Sequence, residues 1–153
     1  MNKHDSERIA GVFDSYGHQA VSDFAEAEIV VFMTCCVREA ADLRLAGQLD
    51  SIKNFPLPEG SALNKRIIAV GGCIGQRDQE KLLEEHKHLD IVFGTHNIDE
   101  LYGLIEEAKS KQNQRCQVKD SSEAFSTELP STREVSWSAW LPISIGCNNF
   151  CSY

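Results

Sequence analysis

Glu28-Ile29-Val30-Val31-Phe32-Met33-Thr34-Cys35-Cys36 is the stretch that decides the fold. Ile29 to Met33 is an unbroken apolar run of strand length, without the polar alternation of a half-exposed strand. Runs of this kind belong to strands covered on both faces, as in parallel sheets packed between helices. Beyond the two cysteines, Val37, Ala41, Leu45, Leu49 and Ile52 recur at helical spacing, so a long helix turns one apolar stripe back onto the sheet.

The same unit recurs downstream. Pro56, Pro58, Gly60 and Ser61 mark a loop, and Arg66-Ile67-Ile68-Ala69-Val70-Gly71 is a second buried strand ending at Gly72-Cys73. A helix is predicted from Gln76 to His86. Asp90-Ile91-Val92-Phe93 is a further strand, followed by a helix to Lys111 that Asn97 can cap, with Ile98, Leu101, Ile105 and Ala108 inward. Toward the amino terminus, residues 5–17 read as a helix capped by Asp5 or Ser6 and closed by Gly17, with Ile9, Val12, Phe13 and Tyr16 on one face. Gln19 to Ser22 can pair at a sheet edge.

This alternation predicts an α/β fold: an open, mostly parallel sheet with helices on both faces, flavodoxin-like or Rossmann-like. An alternating domain that opens on a helix also implies a strand before it, so the first strand is expected to be missing from residues 1–118. The polar stretch 119–135, rich in Ser, Thr and acidic residues, reads as a linker. Residues 136–153, with strand-like sequence from Trp137 to Ile145, read as the start of a second, truncated domain. No Gly-x-Gly-x-x-Gly occurs, so nothing supports a dinucleotide site.

With 153 residues, 42% apolar and 25% charged, the chain has ordinary globular composition. Its net charge of −8 argues against a main nucleic-acid-binding surface, which would present Lys and Arg to phosphates. No apolar run approaches the roughly 20 residues that span a bilayer, and residues 1–6 lack a signal-peptide core. These features predict a cytoplasmic protein without a membrane partner. Six cysteines in such a chain point to metal or catalytic use rather than a disulfide framework.

Cys35 and Cys73 each follow a predicted strand at its carboxyl end, where loops of an open parallel sheet converge. If those strands are neighbours, both sulfurs share one rim and could ligate a cluster, with a third ligand following the missing first strand. The alternative is a small apolar residue tolerated at a tight turn. Cys36 is read as packing, because successive side chains diverge. Cys116 receives no role, and His4, His18, His86, His88 and His96 show no metal-ligand spacing. Cys147 and Cys151, four apart behind Leu141 to Gly146, suit a soft metal centre, half a zinc site, a redox dithiol or two buried small apolar side chains.

Several blocks together resemble the radical-SAM methylthiotransferases. They are Asn2-x-x-Asp5-Ser6-Glu7-Arg8-Ile9, Thr34-Cys35-Cys36-Val37-Arg38-Glu39-Ala40-Ala41, Gly71-Gly72-Cys73, Asp90-Ile91-Val92-Phe93-Gly94-Thr95 and Gly146-Cys147-Asn148-x-x-Cys151. The Val-Arg-Glu block is nearer the MiaB-type tRNA branch than the ribosomal-protein (RimO-type) branch. The resemblance implies that Cys35 and Cys73 bind an auxiliary 4Fe-4S cluster. It also implies that Cys147 and Cys151 are the first two ligands of a Cys-x-x-x-Cys-x-x-Cys loop holding a second, radical-SAM 4Fe-4S cluster.

The family's first auxiliary cysteine would precede Met1 and its third radical-SAM cysteine would follow Tyr153, so a fragment, inactive by itself, is expected. By resemblance, the parent uses S-adenosyl-L-methionine and a flavodoxin-like electron donor to methylthiolate C2 of N6-isopentenyladenosine at position 37 of tRNA. The tRNA is held by parts outside this chain. A ribosomal-protein methylthiotransferase, or a non-catalytic zinc-binding or interaction α/β module, is the competing reading.

Overall fold

A computed structural model describes residues 3–36, 39–111, 113–119, 129–133 and 135–140. Four strands, β1 (Ile29–Thr34), β2 (Ile67–Gly72), β3 (Ile91–Phe93) and β4 (Arg115–Gln117), form one sheet in the order β1-β2-β3-β4, and every neighbouring pair is parallel. The helices are α1 (Lys3–Ser15), α2 (Glu39–Ile52), α3 (Cys73–Asp78), α4 (Glu80–Glu85) and α5 (Leu101–Lys111), with short 3-10 turns at Phe24–Glu26 and Ile98–Glu100.

Both faces of the sheet are covered, which explains the continuous apolar runs. Val30, Phe32, Ile68, Val70 and Val92 pack with Leu45, Leu49 and Ile52 of α2 and with Leu82 and Leu83 of α4. Ile67, Ala69, Ile91 and Phe93 face the other way, onto Ile9 of α1 and Leu101, Ile105 and Ala108 of α5. Period-two side-chain alternation thus feeds two separate cores from one sheet.

Several predicted elements differ in detail. The single helix expected from Gln76 to His86 is two, beginning at Cys73 and broken at Gln79, whose φ of +48° is a left-handed value rare for a non-glycine residue. Tyr16 is not inward but 61% exposed, with its ring stacked on Tyr102 at 3.7 Å. Gln19 to Ser22 forms no strand, and neither do residues 135–140; the rest of the expected strand, 141–145, lies outside the described residues.

Asn97 makes no capping bond to its helix. Fully buried, it donates from Nδ2 to Glu100 at 2.8 Å and accepts the Lys119 amide at 3.0 Å, which anchors the exit of β4. Lys119, expected to open the linker, is held further by Gln76 Nε2 on its carbonyl and by an ion pair with Glu100. Downstream, the Thr132 amide donates to the Glu7 carbonyl at 3.0 Å and Leu129 packs against the α1–α5 core. The described ends of the 119–135 stretch therefore lie against the α/β domain.

Candidate iron-sulfur rim

The β1–β2 register builds the site. Pairing runs from Ile29 opposite Ile67 to Thr34 opposite Gly72, so the next residues outward, Cys35 and Cys73, leave neighbouring strands at the same level. Adjacent strands lie about 4.8 Å apart, so both thiol-bearing backbones reach one rim at the carboxyl end of the sheet. Both cysteines are half-buried.

Two glycines let Cys73 get there. A Cβ on Gly71 would sit 2.0 Å from the Phe93 ring, which crosses β2 at that point. Gly72 has a φ of +87°, and a Cβ there would lie 2.5 Å from the Thr34 carbonyl oxygen. Only glycine combines that close approach with a left-handed turn directly into α3. The Gly-Gly-Cys block is thus the backbone device that swings the chain from strand to helix at the rim.

Thr34 fastens the two loops together. Its hydroxyl donates to the Gly71 carbonyl at 2.6 Å and accepts the Ile74 amide at 3.2 Å, an amide in the first turn of α3 without an intrahelical partner. Thr34→Val keeps the shape and removes both bonds. It should cost about 1–3 kcal/mol, as for a buried donor left unsatisfied, and loosen the spacing of the two cysteines. Chemical denaturation of the variant measures the first effect, and the rate of iron loss to a chelator measures the second.

A third thiol lies nearby. Cys36, read from sequence as packing, rests partly against the α2 core, and its thiol lies near enough to Cys73 to act on it electrostatically. Burial pushes the Cys73 thiol up from its ordinary pKa, and the Cys36 and Cys35 sulfurs beside it add to the rise. Without a metal this thiol holds its proton at neutral pH, so iron binding must displace it. Thiols carried to one rim by neighbouring strands are the donor chemistry that an iron-sulfur cluster takes. Cys35 and Cys73 would be its ligands from this chain.

Cys116 lies apart, on β4, where it packs against the α2–α4 core and burial raises its thiol pKa. Cys147 and Cys151 fall outside the described residues. Among the described residues, no three His, Cys, Asp or Glu side chains converge on a single metal ion. No helix among them is long and apolar enough to cross a membrane.

Alongside β1, which is an edge strand, runs a groove of about 1490 Å³. Its floor is Ile29 to Cys35, and its walls are Ile9 and Phe13 of α1 on one side and Ala41 and Leu45 of α2 on the other. A strand edge bounded by a helix above and another below the sheet has the shape of a strand position.

Comparison with known proteins adds the following. Residues 1–94 match the model of Uncharacterized protein family UPF0004. A tRNA-2-methylthio-N(6)-dimethylallyladenosine synthase of Mycobacterium bovis is 42% identical over 153 residues, which is 100% of this chain and 29% of that protein. Proteins of the same name from Mycolicibacterium smegmatis and Acidothermus cellulolyticus are 41% and 43% identical over the whole chain, which covers 29% and 30% of their lengths. The chain thus spans less than a third of these curated relatives.

Proposed function

Since the chain belongs to the family whose model it matches over residues 1–94, Uncharacterized protein family UPF0004, we propose that it forms the sulfur-bearing amino-terminal domain of a tRNA methylthiotransferase. The parent's substrate is N6-isopentenyladenosine in tRNA, methylthiolated at C2. The observation that carries this reading is the register that brings Cys35 level with Cys73. The similarity to synthases of that name supports it.

In this reading Cys35 and Cys73 hold two irons of an auxiliary 4Fe-4S cluster. The third thiolate comes from a strand laid parallel to β1 in the edge groove, because such a strand would end beside Cys35 and its chain would then turn into α1. Cys147 and Cys151 open the loop for the second cluster and S-adenosyl-L-methionine. Together these groups supply radical activation of the C2–H bond, sulfur and methyl, while the protein supplies position.

Thr34, Gly71 and Gly72 fix the rim, and the α2 core shields its inner side from water. An acidic domain of net charge −8 suits a sulfur-donating role and leaves the grip on tRNA phosphates to other parts of the parent. A flavodoxin-like protein supplies electrons, and the chain by itself, lacking a full ligand set at either cluster, is inactive. Mass spectrometry of tRNA nucleosides from a strain deleted for the parent gene tests the function. 2-Methylthio-N6-isopentenyladenosine should vanish and N6-isopentenyladenosine accumulate; unchanged 2-methylthio nucleoside would refute the assignment.

A further inference from the structure

Gln76 is the side chain that joins the rim to the chain's way out of the sheet. It stands one turn after Cys73 on α3, and both halves of its carboxamide are engaged. Oε1 accepts the Thr95 amide at 3.2 Å, and Nε2 donates to the Lys119 carbonyl at 3.0 Å. The Lys119 amide in turn donates to Asn97 Oδ1 at 3.0 Å. Gly94 makes room for both side chains, since a Cβ there would sit 2.2 Å from Gln76 Oε1 and 3.0 Å from Asn97 Oδ1. Lys119 is exposed and water could satisfy its peptide groups, so two side chains from different elements fix where it lies rather than rescue buried polar atoms. The far end of the same stretch is held as well. There α1 presents bare backbone at Gly11, where a Cβ would meet the Pro130 carbonyl oxygen at 2.4 Å.

We propose that Gln76 is a positioning residue: it locks the start of the 119–135 stretch to the helix that begins at Cys73, so that the rim and the domain that follows hold one spacing. The inference rests on the reading of the chain as the sulfur-bearing domain of a methylthiotransferase. It adds to that reading how the rim is kept in register with the second cluster. A carboxamide is required because the two partners differ in kind, an N–H on Thr95 and a C=O on Lys119. Gln76→Glu keeps the length and still accepts from Thr95, but it sets a carboxylate oxygen against the Lys119 carbonyl, acceptor against acceptor. The clasp then opens at Lys119 while Cys73 keeps its place.

The test uses the full-length parent reconstituted with iron and sulfide, as wild type, Q76E and G94A, the last displacing the Gln76 side chain without altering it. In both variants hydrogen exchange should quicken in the peptide that contains residues 115–119. Iron should stay at the wild-type content, and S-adenosyl-L-methionine should still be cleaved to 5′-deoxyadenosine at the wild-type rate. The methylthio nucleoside formed per 5′-deoxyadenosine should fall by about 10–100-fold, the scale of an ångström-size misplacement. Unchanged exchange or an unchanged ratio would overturn the inference. So would iron lost together with product, or a failure of both variants to fold, because Gln76 would then serve the rim or the fold rather than the spacing. A wild-type parent that makes no methylthio nucleoside would instead overturn the functional reading and leave the clasp, read by exchange alone, standing.

Discussion

In the full-length parent reconstituted with iron and sulfide, Cys73→Ala should lower the iron content from about eight to about four per chain, one cube-shaped cluster of two being lost. Formation of the 2-methylthio nucleoside should be abolished with it. The reason is local. With Cys35 and Cys73 as the proposed ligands, one from each of β1 and β2, a cluster left with one of them and a strand-borne third thiolate has lost its anchor on β2. The fold should survive, because a half-buried thiol replaced by a methyl removes little buried surface; a cost of about 1 kcal/mol is the expected scale. Cys116→Ala is the internal control. It removes a thiol from the same sheet, packed against the α2–α4 core and away from the rim, and should leave iron and product unchanged. Iron analysis alongside circular dichroism separates loss of the cluster from loss of the fold.

Arg66→Met should be the most destabilising single change at the opposite end of the sheet. Arg66 is 8% exposed, and its guanidinium closes on four carbonyls. Nε donates to Ala27 at 2.7 Å, Nη1 to Phe55 at 2.9 Å, and Nη2 to Ala25 at 3.2 Å and Pro56 at 2.8 Å. These carbonyls belong to the entry into β1 and the exit from α2, so one side chain ties both connections to the start of β2. Methionine fills comparable space but donates nothing, leaving the acceptors to find water or go unpaired. Charge-assisted bonds of this kind are worth about 1.5–3 kcal/mol each and add incompletely, so a loss of roughly 3–5 kcal/mol is expected. Urea denaturation of the 153-residue chain measures it; a loss below about 1 kcal/mol would show that water replaces the guanidinium without penalty.

The sheet was legible because its strands obey one rule strongly. Ile29 to Met33 and Ile67 to Val70 are apolar without interruption, and only a strand between two helical layers accounts for that. β4 escaped notice because Arg115-Cys116-Gln117 carries no apolar pattern. It is placed instead by polar bonds, the Arg115 amide to the Asp90 carbonyl at 2.8 Å and Gln114 Nε2 to the Leu89 carbonyl at 2.8 Å. The break at Gln79 was hidden because glutamine is a good helix former and nothing in its local sequence announces a φ of +48°.

At the site, Cys35 and Cys73 could be picked out because each stands directly behind a buried strand. Thr34 and Cys36 could not. A threonine ending a strand is ordinary, and whether it bonds across to the next loop depends on a register that is set between strands rather than within them. Cys36 was assigned to packing by the divergence of successive side chains. That packing is what the structure shows, and the thiol's electrostatic effect on Cys73 depends on how the chain leaves the strand, where the period-two rule no longer applies.

Anomalous diffraction at the iron edge from anaerobically grown crystals of the full-length parent tests the shared centre most directly. The account predicts an iron peak within bonding distance of the Cys35 sulfur and another within bonding distance of the Cys73 sulfur, both belonging to one cluster at the end of β1 and β2. Iron confined to the Cys147–Cys151 loop, with the two rim sulfurs bound to nothing, would contradict it.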